Sequence, residues 1–259
     1  MSALSFDEVR AVAARDEPAV LFTVLEGERA GAKLLARVEG EAIGDAPPEL
    51  AEQVPQLLRE GHSRVVEHEG EKVFAEVFGP PPRLVVVGAV DTAEALCRAA
   101  RALGWRTAVA DARARFATHE RLPSADEVVV GWPDEAYAQL GLGYGDAVVV
   151  LTHDEKFDVP AVAGALAAEV SYVGALGSRR AQEARRERLR EAGVAEDDLA
   201  RIHGPCGLDV GAESPAETAV SILAEILAVR AGREGGHLRD AKRRIHAERA
   251  ADAANLRTA

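Results

Sequence analysis

From Leu84 onward the chain alternates short, mostly apolar runs with segments that read as helices. Leu84 to Val87 is the first run, and Ala93, Leu96, Cys97, Ala100 and Leu103 follow it at the spacing of one helical face. Thr107 to Ala110, Glu127 to Val130, Ala147 to Leu151 and Ser171 to Val173 read as further strands. Strands that are apolar throughout are buried on both faces, and their alternation with helices marks a parallel sheet covered on each side. A charged helix is expected from Arg179 to Ala192. The last helix opens on Ser214-Pro215-Ala216-Glu217, with an N-cap, a proline in the first turn and a capping-box glutamate, and it stops before Gly232.

Upstream, Gly79-Pro80-Pro81-Pro82 interrupts the chain, since three prolines lack backbone donors and neither a helix nor a central strand can pass through them. Before that break a helix follows the capping box at Ser5 to Glu8. Strands are expected at Ala19 to Leu25 and Lys33 to Val38, and a hairpin pairs Ser63 to Glu67 with Lys72 to Phe78 across Glu69-Gly70. Leu50 to Arg59 reads as a helix disturbed by Pro55. The fold class is therefore α/β: a Rossmann-like parallel-sheet domain (83–230) preceded by a small α+β domain (1–79) and a proline linker (80–82). A basic polar tail (231–259) follows. No internal repeat is visible.

With 259 residues and 47% hydrophobic content the chain can build a real core, and with only 4% aromatics that core must rest on Val, Leu, Ile and Ala. No run of about 18 apolar residues is present, so no membrane span is expected. The start, MSALSFDEVR, is acidic where a signal peptide needs basic and then apolar residues, and two cysteines cannot form a disulfide framework; a cytoplasmic setting is expected. A net charge of −12 argues against nucleic acid as the partner. Residues 230–259 depart from that balance, with eight basic and four acidic side chains; they read as a solvated extension or a docking segment for an acidic partner.

In open α/β sheets ligands sit beyond the carboxyl ends of the strands, which is where the chemistry-bearing residues cluster. The first turn, Val87-Gly88-Ala89-Val90-Asp91-Thr92-Ala93, keeps Gly88 but has Val90 where a dinucleotide fingerprint has its middle glycine. Asp91 adds a carboxylate where an anion would sit, while Asp111 stands about 20 residues on, in the place of the ribose-binding acid. After the fourth strand come Thr152, His153, Asp154 and Asp158, able to bind polar ligand edges or a metal; the alternative is that Asp154 or Asp158 caps a helix whose pattern begins near Pro160. After the fifth strand come Gly177, Ser178, Arg179 and Arg180. Arginines oppose the helix dipole at that end, so an anion is expected to compensate them, the alternative being pairing with Glu183. His203, Gly204, Pro205, Cys206, Gly207 and Asp209 form a last loop shaped like a ligand wall, in which Cys206 is either a soft metal ligand or a buried thiol.

Three of these segments, VVVLTHDEKFD, YVGALGSRR and IHGPCGLDVGAESPAETAVSILAEI, together resemble the C-terminal Rossmann domain of the XdhC/CoxI family of molybdoenzyme maturation proteins. The resemblance covers residues 83–230; Arg29-Ala30-Gly31-Ala32-Lys33 and Glu39-Gly40-Glu41-Ala42-Ile43-Gly44 resemble the family's N-terminal "PGAK…DG…G" segment. It implies a protein that binds molybdenum cofactor (molybdopterin), helps it receive sulfur from a cysteine desulfurase and delivers it to a xanthine or carbon monoxide dehydrogenase apoprotein, and it implies a homodimer. Arg179, Ser178 and the helix end would hold the phosphate, with His153, Asp154 and Asp209 at the pterin edge. Two departures stand out. The family's "GGCVE" cysteine segment is absent, because Gly44 runs into Asp45-Ala46-Pro47-Pro48, and "GAGHVA" is replaced by Gly88-Ala89-Val90-Asp91-Thr92-Ala93. Cys206 would then stand in as the thiolate ligand. The expected activity is binding and delivery; the alternatives are an NAD(P)-dependent oxidoreductase using Gly88 and Asp111, or a scaffold that contacts only proteins.

Overall fold

A computed structural model describes residues 4–38, 40, 42–152 and 154–242. His153, Glu39, Glu41 and the tail beyond Lys242 therefore lie outside the described residues, and with them the readings made for those positions. The chain forms two compact units, Met1–Pro80 with Gly236–Ala259, and Pro81–Gly235.

In the first unit, helix α1 (Phe6–Ala14) starts at a true capping box: the Glu8 amide donates to Ser5 Oγ and the Ser5 amide donates to the Glu8 carboxylate. Strands β1 (Ala19–Val24), β2 (Lys33–Arg37), β3 (Ile43–Gly44), β4 (Arg64–His68) and β5 (Glu71–Phe78) make an antiparallel sheet in the order β3-β2-β1-β5-β4. The β4–β5 hairpin turns at Glu69 and Gly70, both with positive φ. Pro48–Gln53 winds as a 3-10 helix and α2 (Val54–Glu60) continues it, so Pro55 falls in a first turn, where its missing donor costs nothing. Val12, Leu21 and Leu35 are buried together on one face of the sheet.

The second unit begins with β6 (Arg83–Val87), α3 (Asp91–Ala102), β7 (Arg106–Ala110), β8 (Glu127–Val129), α4 (Pro133–Leu140) and β9 (Asp146–Val150). It continues with α5 (Glu155–Ala167), β10 (Tyr172–Ala175), α6 (Arg179–Glu191), α7 (Glu196–Ala200), β11 (Ile202–His203) and α8 (Pro215–Arg230). All six strands run parallel, in the order β11-β10-β9-β6-β7-β8. This is the doubly wound order, and it reverses between β6 and β9, so the ligand crevice is expected beyond those two strand ends.

Side chains alternate across each strand. Leu84, Val86 and Val149 face α3 and α8, while Val85, Val87, Val148 and Val150 face α4, α5 and the buried Leu189 of α6. Two apolar layers thus hold one rigid sheet, and the loops at its carboxyl edge inherit fixed anchor points. α5 begins at Glu155, earlier than the pattern near Pro160 suggested, because Asp154 caps it.

Candidate functional site

At the end of β6 the chain turns through Gly88, whose φ is +112°. A Cβ there would lie 3.1 Å from Thr152 Cγ2 and 3.3 Å from the Thr152 amide, so this glycine is what lets the first turn close against the end of β9. The turn is then sealed from within. The Ala89 amide donates to Asp111 Oδ2 at 2.9 Å, and the Arg113 guanidinium grips the same carboxylate at 2.9 and 2.7 Å. Asp111 is only 6% exposed. Burial works to raise its pKa, but the bonds from Arg113 and Ala89 outweigh it and hold the carboxyl below its ordinary range. Both oxygens of Asp111 are engaged in this way, so a ribose at this carboxylate would have to displace Arg113 or the Ala89 amide. Arg113 also lies over Phe116, whose ring Arg115 and Arg121 share at 4.5 and 5.0 Å.

Beyond β9, Asp154 is the N-cap of α5, accepting from the Lys156 amide at 3.1 Å. Asp158 is buried and takes both arms of Arg185, at 2.7 and 3.1 Å. This partner lies 27 residues away in sequence and engages both oxygens. Thr152 Oγ1 is buried with no hydrogen-bond partner among the described residues.

The β10–α6 turn has a different construction. Its frame is buried: Arg185 also donates to the Leu176 carbonyl at 3.1 Å and to Gln182 Oε1, while Gln182 Nε2 donates to the Ala175 carbonyl at 3.0 Å. Gly177 has φ +131°, and Ser178 caps α6 by accepting from the Ala181 amide at 3.3 Å. The first turn of α6 has no acidic residue and opens on Arg179 and Arg180. Both are exposed, and among the described residues neither makes an ion pair or a hydrogen bond, with Glu183 or any other group. Two cations at a helix N-terminus oppose the dipole by about 0.3–1 kcal/mol each, and here their guanidinium groups stand beside the first amides of α6.

The loop after β11 is held by groups that the linear pattern had not singled out. Glu225 of α8 accepts from the Tyr172 hydroxyl at 2.5 Å and from the Gly207 amide at 2.8 Å, and stands 3.7 Å from His203 Nδ1. Burial opposes its ionisation, yet His203, Tyr172 and Gly207 together hold its pKa low. The Tyr172 and His203 rings stack at 4.7 Å. Ser221, one turn earlier on α8, lies so close to Gly207 that a Cβ there would come within 2.5 Å of its hydroxyl. A signal did exist in the sequence: Ser221 and Glu225 are polar residues four apart on the apolar face of α8. Asp209 is exposed at the rim.

Cys206 is buried, its amide donates to the Ala175 carbonyl at 3.1 Å, and burial beside Glu225 pushes its thiol up to about 12. A thiol held protonated at neutral pH is a poor metal ligand. No group of three or more His, Cys, Asp or Glu side chains is placed to hold a metal among the described residues. Among the described residues Cys206 is thus a buried thiol with no such group around it. The structure brings Gly177, Ser178, Arg179, Arg180, Thr152 and the His203–Gly207 loop to the same edge of the sheet, and assigns Asp111 and Asp158 to its internal framework.

Among the described residues no helix is long and apolar enough to cross a membrane. Residues 84–226 match the family model for the XdhC Rossmann domain. The chain is 32% identical over 210 residues to the uncharacterized protein YqeB of Escherichia coli (strain K12), covering 77% of this chain and 38% of that protein. It is 30% identical over 158 residues to a probable xanthine dehydrogenase subunit of Bacillus subtilis (strain 168), covering 61% and 46%. It is 29% identical over 161 residues to the molybdenum cofactor insertion chaperone PaoD of Escherichia coli (strain K12), covering 62% and 44%. The chain thus spans less than half the length of these curated relatives. A crystal structure of a xanthine dehydrogenase from Bacillus halodurans shares the fold, with a TM-score of 0.58 at 23% identity, covering 88% of this chain and 66% of that one. On the match across more than half of its length, the chain belongs to the XdhC Rossmann-domain family.

Proposed function

We propose that this protein binds molybdopterin as a cargo beyond the strand ends of its parallel sheet and hands it to a xanthine dehydrogenase-type apoprotein. One observation carries the reading: Arg179 and Arg180 open α6 at that edge, exposed and without a carboxylate partner among the described residues. A phosphate is the group this arrangement suits, because Arg pairs with phosphate bidentately and the free amides of a helix N-terminus add further donors. The names of two relatives, a molybdenum cofactor insertion chaperone and a probable xanthine dehydrogenase subunit, support the molybdenum cargo. Ser178 and the α6 amides would take the phosphate with the arginines, and Asp154 and Asp209 lie at the rim where a pterin edge has donors to offer. The sealed Asp111 counts against a dinucleotide seated in the β6–α3 turn, and so against the oxidoreductase alternative.

The test is retention. Protein mixed anaerobically with molybdopterin released from a molybdoenzyme is expected to carry pterin fluorescence and molybdenum through gel filtration. Elution of the protein free of both contradicts the proposal.

A further inference from the structure

The chain carries a net charge of −12, yet the loop between β7 and β8 gathers cations. The guanidinium groups of Arg113, Arg115 and Arg121 stand over one ring, that of Phe116, at 4.5, 4.5 and 5.0 Å from its centroid. Contacts of this kind occur roughly once per 70–80 residues, so three on a single ring are a concentration that folding alone does not require. The loop that holds them is firm. Leu122 and Ala125 are buried in the core layer beside α3, and Phe116 packs against that layer. The Phe116 amide donates to the Arg113 carbonyl at 2.8 Å, and the Arg121 and Leu122 amides donate to the Thr118 carbonyl at 3.1 and 3.0 Å.

The protein's own acids answer for only part of this charge. Arg113 is gripped by Asp111. Arg121 faces the exposed Asp91 at 4.0 Å, beyond hydrogen-bond reach. Arg115 is exposed and makes no ion pair or hydrogen bond among the described residues. A guanidinium seated over a ring keeps the N–H donors at its edge free, and the ring fixes their direction. The cluster also stands where small ligands bind in such sheets, beyond the strand ends. β7 lies next to β6, and β6 next to β9. Asp111, and behind it Asp154 at the start of α5, hold the Arg113 guanidinium charged, so the loop lies within electrostatic reach of the β9 end.

We infer that Arg115 and Arg121, ordered by Phe116, form a site for a diphosphate. One phosphoryl group fills one guanidinium fork. Two forks set around a ring, rather than at one point, suit two linked phosphoryl groups. The site goes beyond the proposed function, because it uses none of Ser178, Arg179 and Arg180.

Calorimetry at fixed ionic strength tests it on the full chain, with pyrophosphate, ADP, inorganic phosphate and a glutamate homopeptide as probes. The proteins are wild type, Arg115→Ala/Arg121→Ala and Arg179→Ala/Arg180→Ala, each checked for folding by thermal melt. Wild type and Arg179→Ala/Arg180→Ala should bind pyrophosphate, and more tightly than phosphate. Arg115→Ala/Arg121→Ala should bind it roughly 10- to 150-fold more weakly, as for lost charge-assisted hydrogen bonds. ADP binding with the same dependence assigns the diphosphate to a nucleotide; pyrophosphate binding without it assigns a free diphosphate. No binding to wild type, or equal affinity in Arg115→Ala/Arg121→Ala, overturns the site. Dependence on Arg115 and Arg121 seen only with the glutamate peptide overturns it too, and makes the cluster a dock for an acidic protein. Pyrophosphate binding that needs Arg115 and Arg121, without molybdopterin retention on gel filtration, sinks the cargo reading alone; the converse sinks only the diphosphate site. Should the alanine pair fail to fold, Arg115→Gln/Arg121→Gln takes its place with the same expected loss.

Discussion

Two turns at the same sheet edge, β6–α3 and β10–α6, have the same plan and opposite outcomes. Each leaves a buried strand, passes a glycine with positive φ and enters a helix of at least twelve residues. In the first, a carboxylate from the neighbouring strand accepts the turn's own amide and an arginine covers the carboxylate. In the second, the buried arginine and glutamine grip carbonyls from behind, and the exposed arginines are left without a carboxylate. The glycine does not decide whether such a turn binds a ligand. The two differ in which groups the protein's own side chains take: Asp111 accepts the Ala89 amide ahead of α3, whose N-cap Val90 makes no side-chain cap bond, whereas Ser178 caps α6 and the Arg179 and Arg180 guanidinium groups have no carboxylate among the described residues. In the turn that a nucleotide fingerprint would nominate, the acid is already engaged by Arg113 and the Ala89 amide.

The comparison breaks most visibly at Asp158. If it belongs to the frame, Asp158→Asn leaves Arg185 buried and uncompensated, and stability should fall by about 3–5 kcal/mol. A urea titration reads this; a loss below about 1 kcal/mol would make Asp158 available to a ligand after all. Next comes Arg179→Ala with Arg180→Ala. Surface substitutions of this kind change stability by less than about 0.5 kcal/mol. Losing charge-assisted bonds of about 1.5–3 kcal/mol should weaken a phosphorylated ligand roughly 10- to 150-fold. Asp111→Asn should cost about 1–3 kcal/mol of stability, with ligand affinity unchanged.

The same carboxylate has a pH signature. Its folded pKa lies below the unfolded value of about 3.9. Its contribution is therefore fully present above about pH 4 and is lost as pH falls through the depressed value. Asp111→Asn should flatten the acid limb of the thermal stability curve; an unchanged limb would show that the seal is absent. The smallest expected effect is at the thiols. Burial pushes Cys97 and Cys206 up to about 12, so iodoacetamide at pH 7.5 should label neither in the native protein. Rapid labelling of Cys206 would restore it as a candidate thiolate.

The strands and the long helices were legible because each carries its own signal: the apolar runs within β6 and β9, the apolar rows of α3 and α8, and the capping box at Ser214. What escaped were elements held by tertiary contacts. β11 is a two-residue strand paired only with Val173 and Gly174 of β10. α4 is a short helix, and its approach to α5 depends on Gly164. α7 has five residues. At the site, Ser178, Arg179 and Arg180 could be read because arginines in a first helical turn run against the dipole. Asp158 could not be told from a ligand residue, since nothing local reveals that Arg185 folds onto it. Glu225 was hidden for a similar reason: its partners, Tyr172 on β10 and His203 and Gly207 in one loop, lie 18 to 53 residues away in sequence.

The central claim is that the ligand uses the open turn and leaves the sealed one alone. Isothermal titration of released molybdopterin into three proteins tests it directly: wild type, the Arg179→Ala/Arg180→Ala double variant, and Val90→Glu, which puts a negative charge at the mouth of the β6–α3 turn. Binding should weaken at least tenfold in the double variant, as expected for lost charge-assisted bonds, and be unchanged in Val90→Glu. Binding that survives in the double variant and is abolished by Val90→Glu would place the ligand in the β6–α3 turn and contradict the account.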